Sequence, residues 1–200
     1  MGPTTSPGSA WPGAVPARCS SHSSSSDGEP RGEAMADSEM LAARVQALED
    51  LEAIKRLKHR YWRCLDQKCW DELAECFAAD ATVDYGSGQY RFQGVDAIMH
   101  FLRTSLGEQS GTVGIHHGGH PEIELLSPTA ARGSWVLWNF LFNAGQKRNI
   151  RIGAYYADEY VKVGAEWRIR HTGYSALFHE EWSREDTPSV RVLVPSHAGF

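Results

Sequence analysis

The sequence predicts an α+β domain, with three N-terminal helices packed on one face of a curved, mainly antiparallel sheet. Apolar residues recur at threes and fours through the first half, and after Gly111 the period changes to two. Short breaks rich in Gly, Pro and polar residues then separate long segments of β-branched and aromatic residues. Helices followed by a meander pack as two layers around one core.

Residues 1–34 are expected to form a disordered leader. Gly, Pro and Ser fill more than half of them, including the run Ser23 to Ser26, so too little apolar surface is present to offset the ordering entropy. They hold no apolar signal core and few arginines; Met1-Gly2 with Ser6 fits a bare myristoylation pattern, but Pro3 stiffens it. Met35 opens the change in composition and is a candidate start of translation.

The domain is expected over residues 38–182. Leu41, Val45, Leu48, Leu51, Ile54, Leu57, Tyr61 and Leu65 make the stripe of a long amphipathic helix with Ser38 as N-cap. Glu49, Asp50, Glu52, Lys55, Lys58 and Arg60 face elsewhere in this reading. A second short helix begins near Asp71 and buries Trp70, Leu73, Ala74 and Phe77; Thr82 to Tyr85 is a short strand ended by Gly86-Ser87-Gly88; Val95 to Leu106 is a third helix. Strands follow around 112–126, 133–145, 149–163 and 167–179. The segment Gly133 to Asn143 is apolar on both faces, so the face away from the helices should line a cavity or a contact between copies, in a homodimer or homotrimer. Residues 183–200 form a tail of undecided packing.

Composition narrows the function. A formal charge of -5, with Lys and Arg scattered among acids, gives no basic stripe for nucleic acid. No apolar run is long enough to span a membrane. Four cysteines without a CxxC pair suit free thiols in a reducing, cytoplasmic setting. Phosphate loops, a GxSxG elbow, HExxH and EF-hand spacing are absent. HHxxH at residues 116–120 has no standard zinc geometry within a strand, so no metal is expected.

What remains is a set of polar groups at element ends: Tyr61 and Asp66 late in the first helix, Tyr85 at the end of the first strand, and His116-His117-Gly118-Gly119-His120 interrupting the next. Their order, with Leu51 to Lys55, Trp70-Asp71, Phe77, Thr82 to Tyr85, Ala131-Arg132-Gly133 and Trp167 to Tyr174, resembles the SnoaL-like group of the nuclear transport factor 2-like superfamily over roughly residues 40 to 182. The chain is similar also to scytalone dehydratase and the bile-acid dehydratases. The resemblance implies a cone-shaped fold with an apolar pocket between helices and sheet. It also implies dehydration, isomerisation or cyclisation of hydrophobic ring or polyketide-like compounds without a cofactor. It places Asp66 and His116 at the acid-base pair, and Tyr85 and Tyr61 at tyrosines of the two dehydratase groups. Cys69 stands where relatives usually carry an acid, and Ala176 where they often carry an Arg, which removes a clamp for anionic substrates.

The chemistry of the residues suits that placement. Imidazole is a base suited to removing a proton beside a carbonyl near neutral pH. Asp66 would hold its tautomer, while Tyr61 and Tyr85 would donate to the developing oxyanion. Trp135, Asn139 and His117 are candidates to touch substrate, although neighbours in a strand alternate, so His117 points away from His116. Each residue has a plainer role open to it: Tyr61 and Trp135 as core, Asp66 as a turn residue, His116 bonded to backbone. A non-catalytic binding or assembly module is therefore the alternative function, and an accessory subunit of a ring-hydroxylating oxygenase a third.

Overall fold

The computed structural model describes residues 30–143 and 145–191. The chain divides into two compact units, Met1–Glu39 and Met40–Phe200. The described part of the first is the opening of helix α1 (Pro30–Gln67). That helix starts eight residues ahead of Ser38; proline suits a first turn, where its missing N–H has no helical partner to lose. Residues 1–29 of the expected leader, with Gly2 and Cys19, lie outside the described residues, as do Val192, Leu193 and Val194 of the tail.

In the second unit Ile54, Leu57, Tyr61 and Leu65 of α1 are buried, whereas Leu41, Val45 and Leu48, the beginning of the same stripe, are exposed. Helix α2 (Trp70–Ala74) is a single turn. Phe77, expected on that helix, instead opens strand β1 (Phe77–Tyr85). Four residues form the partly exposed strand β2 (Tyr90–Gln93), reached through Gly86, Ser87 and Gly88, all at positive φ. Helix α3 (Val95–Leu106) buries Ile98, Met99 and Leu102. Where three N-terminal helices were expected, the chain has one long helix, one turn, and a third helix that follows the first hairpin.

Strands β3 (Thr112–Ser127), β4 (Ala130–Asn143), β5 (Arg148–Val163) and β6 (Glu166–Ser183) form the meander. The order is β2-β1-β6-β5-β4-β3, and β1 runs parallel to β6, so the open six-stranded sheet is mixed. Residues 116–120 do not interrupt β3; a register shift between Gly119 and Glu122 takes up the irregularity, with His120 at φ 49°. No described helix is long and apolar enough to cross a membrane.

One sheet face carries Trp135, Leu137, Ile152, Ala154 and Ile169 into the core against α1 and α3. Trp62 of α1 lies edge-on to Trp135 at 5.4 Å. Its ring also rests directly on Gly118, where an added Cβ would fall 2.0 Å from it, so only glycine allows this approach. The opposite face exposes Ile115, Trp138 and Phe178, with the Arg151 guanidinium 5.8 Å from the Trp138 ring and 5.6 Å from that of Trp182.

Asp50, expected at the solvent side of α1, is buried and accepts from Lys162 Nζ at 2.6 Å and Trp167 Nε1 at 2.8 Å. Burial alone would raise its pKa; the bonds from Lys162 and Trp167 outweigh it and hold the carboxyl below its usual value. A carboxyl with a depressed folded pKa adds stability above the unfolded value, which is lost as pH falls through the folded one. Asp50→Asn should therefore melt below the wild type at pH 7. The gap should close on acidification below the ordinary carboxylate range, as followed by circular dichroism in a pH series.

Candidate functional site

Asp66 is the penultimate residue of α1, and Lys68 beyond it turns at φ 63°. A carboxylate at a helix C-terminus gains nothing from the helix dipole. Its stabilising contacts come from the sheet. β3 is an edge strand, and the His116 backbone N–H donates to Asp66 Oδ2 at 3.0 Å and Oδ1 at 3.2 Å. The same imidazole bonds through Nδ1 to Asp66 Oδ1 at 2.7 Å. A carboxylate has only acceptors, so Nδ1 carries a proton, and in the neutral ring Nε2 then keeps its lone pair. The His116 side chain is 9% exposed and that of Asp66 20%, so the pair is largely buried and the carboxylate is its more accessible member.

The two tyrosines form a second pair. Tyr61, on the buried stripe of α1, and Tyr85, closing β1, share a hydroxyl–hydroxyl hydrogen bond of 2.8 Å. Tyr61 packs edge-on against Phe77, and Tyr85 stacks on Phe101. Burial, first of all, pushes both phenols well above their ordinary value, Tyr61 further by its neighbours Tyr85 and Tyr156. Both stay protonated and act as donors, never as bases. One O–H is used within the pair, and the other is left to donate.

The remaining residues divide by face. Asn139 stands directly opposite His116 in the β3–β4 register and is buried. Its Oδ1 accepts no hydrogen bond from any described residue. Trp135 is fully buried, and its Nε1 donates to Tyr160 Oη at 2.9 Å, so it is a core wall whose polar atom is already used. His117 is exposed opposite Trp138 on the other face, because strand neighbours alternate; it does not join the cluster around His116.

The sequence reading missed Lys58. It was assigned to the polar side of α1, yet its side chain is completely buried and pairs with Asp158 of β5 at 2.7 Å. Lys58 also donates to Thr172 at 3.1 Å, and its ammonium lies 3.7 Å from the Tyr156 ring centroid and 4.7 Å from that of Tyr61. Asp158 further accepts from Thr172 at 2.7 Å and Tyr160 at 2.6 Å. Burial lowers the Lys58 pKa and Asp158 opposes the shift. One signal was available: Lys58 sits four residues after Ile54 and three before Tyr61, on the apolar stripe itself. Cys64 is no competing nucleophile, since burial pushes its thiol up to about 12.

An open groove of about 880 Å³ runs along the outer face of the sheet, lined by residues such as Glu124, Arg132, Tyr155, Glu159 and His171. It includes neither Asp66 nor His116. On the helix side, Tyr61, Trp62, Trp135 and Tyr156 pack against one another.

Residues 46–173 match the family described as the SnoaL-like domain. The fold is similar to that of a Novosphingobium aromaticivorans protein provisionally assigned as a scytalone dehydratase, with a TM-score of 0.64 and 23% identity over 70% of this chain and 91% of that one. It is similar also to hexachlorocyclohexane dehydrochlorinase type 3 of Novosphingobium barchaimii, with a TM-score of 0.65 and 16% identity over 76% and 99%. A nuclear transport factor 2-like protein with a cystatin-like fold from Novosphingobium aromaticivorans gives 0.57 and 22% over 68% and 88%.

Proposed function

The chain belongs to the SnoaL-like domain family, and from that premise we propose that it is a cofactor-independent acid–base enzyme acting on a hydrophobic cyclic or polyketide-like small molecule. The reaction proposed is a dehydration, with isomerisation and cyclisation as variants of the same proton transfer. The observation that carries this reading is the Asp66–His116 pair, joined through both backbone N–H and imidazole.

The proposed sequence is as follows. Nε2 of His116 removes a proton from carbon beside a ring carbonyl, and the C–H electron pair moves into an enolate. Asp66 stabilises the imidazolium formed, as a carboxylate does in other histidine-based sites. The free O–H of the Tyr61–Tyr85 pair donates to the enolate oxygen. The enolate then collapses, the β-carbon–oxygen bond breaks, and the departing hydroxide takes the proton from Nε2. The products are water and a conjugated ketone, and the imidazole is returned neutral. Fold neighbours that are lyases by name support this class of chemistry. The close packing of Tyr61, Trp62, Trp135 and Tyr156 favours the second reading, a binding or assembly module of the same fold.

Screening β-hydroxylated ring ketones for the ultraviolet absorbance of the conjugated product tests the first reading. Turnover by the wild type is expected; its absence across the series, or equal turnover after removal of His116, sinks it.

The outer sheet face is proposed to bind a second copy of this chain. It combines exposed Trp138 and Phe178 with charges of both signs in the Arg151–Glu180 pair, so that like faces are complementary. Sedimentation velocity should show a dimer or trimer that Trp138→Glu dissociates. A monomeric wild type contradicts it.

A further inference from the structure

We propose that Cys64 and Cys69 form an oxidation site: a hydroperoxide converts this thiol pair to a disulfide that closes across Asp66. The end of α1 brings the two residues together. Lys68 turns at φ 63°, and just beyond it the Cys69 backbone N–H donates to the Cys64 carbonyl at 3.0 Å. A bond of that span over a left-handed residue marks a helix stop in which the side chains of the two bonded residues frequently meet. Here both are cysteines, and the ring they would close holds Leu65, Asp66, Gln67 and Lys68.

The two thiols differ as the chemistry needs. Cys69 is half-buried, and its Sγ makes only a long contact of 3.9 Å to the Gln67 carbonyl, so a peroxide reaches it. Cys64 is fully buried, and burial pushes its thiol up to about 12, which protects it from peroxide in solution. The Arg63 guanidinium, paired with Glu72, favours a thiolate at either position. In the first step the Cys69 thiolate attacks a peroxide oxygen and the O–O bond breaks. The sulfur is oxidised to a sulfenic acid, and the peroxide is reduced to an alcohol or water that takes up the thiol proton. In the second, the Cys64 sulfur attacks the sulfenic sulfur, the S–S bond forms as S–O breaks, and the hydroxyl leaves with the Cys64 proton as water. Proximity at the helix stop offsets the small thiolate fraction of Cys64. The disulfide ties down the turn that carries Asp66, the partner of His116. Neither step uses His116, so the site is independent of the acid–base reading.

The reduced full chain, treated with hydrogen peroxide, blocked with N-ethylmaleimide, unfolded and cut with trypsin, tests this. Cleavage after Arg63 and Lys68 separates the two cysteines, so the disulfide should appear as a cross-link between residues 64–68 and 69–91. The intact mass should fall by two hydrogens, and dithiothreitol should restore it. Fragmentation should place the second sulfur at Cys69 rather than at Cys76, whose Sγ is turned to the Glu72 carbonyl at 3.5 Å, and Cys76→Ser should keep the link. Cys64→Ser should stop Cys69 at the sulfenic acid, which dimedone traps, whereas Cys69→Ser should leave Cys64 a free thiol. Backbone amide exchange over residues 65–69 should slow on oxidation. The wild-type digest decides the pairing even where a serine variant does not fold. The proposal is overturned if peroxide leaves Cys64 and Cys69 as thiols, if the link joins Cys76 or two chains, if Cys69→Ser still loses the Cys64 thiol, or if the link leaves the amide exchange unchanged.

Discussion

His116→Ala should lower kcat/KM on a β-hydroxy ring ketone by about 10²–10⁴, the usual contribution of a positioned general base, while the fold persists. The side chain is only 9% exposed, but the backbone N–H of residue 116 still donates to Asp66 in the variant, so the circular dichroism spectrum should stay that of the wild type. Asp66→Asn should fall by a similar factor for a different reason. Its amide can donate as well as accept, so it no longer forces the proton onto Nδ1, and an imidazole with the proton on Nε2 has no lone pair facing substrate. Steady-state rates over a pH series compare both variants. A variant at either position that keeps wild-type kcat/KM contradicts the assignment.

The second large effect is on stability. Lys58→Met leaves Asp158 charged and buried, with Thr172 and Tyr160 still donating but no counter-ion. Removing one partner of a buried ion pair typically costs roughly 3–5 kcal/mol, a large share of the 5–15 kcal/mol that stabilises a domain of this kind. Lys58→Met combined with Asp158→Asn removes the stranded charge and keeps acceptors for Thr172 and Tyr160, so most of the loss should return. Urea unfolding of the three proteins reads this directly. A single variant as stable as the wild type would mean that Lys58 is not held in the interior.

The pair at the centre of the site was legible because its members sit at element ends in a characteristic order. Asp66 closes the helical stripe, and His116 lies where the period has already changed to two. The tyrosines were legible individually, but not their direct bond to each other, which depends on how α1 crosses β1. Lys58 and Asp50 were misplaced because a charge on an amphipathic helix is read as solvent-facing, and only the partners contributed by β5 and β6 make their burial tolerable. Strand β2 escaped notice because four residues with one partly buried side chain carry no alternation to detect. The parallel pairing of β1 with β6 joins residues about ninety positions apart, which no local pattern encodes.

Nitrogen-15 NMR of the imidazole of His116, at a pH where it is neutral, is the most direct test of the acid–base pair. The account predicts a protonated Nδ1 and a bare Nε2, with that tautomer shifted in Asp66→Asn. A proton on Nε2 in the wild type, or a tautomer indifferent to Asp66, would contradict it.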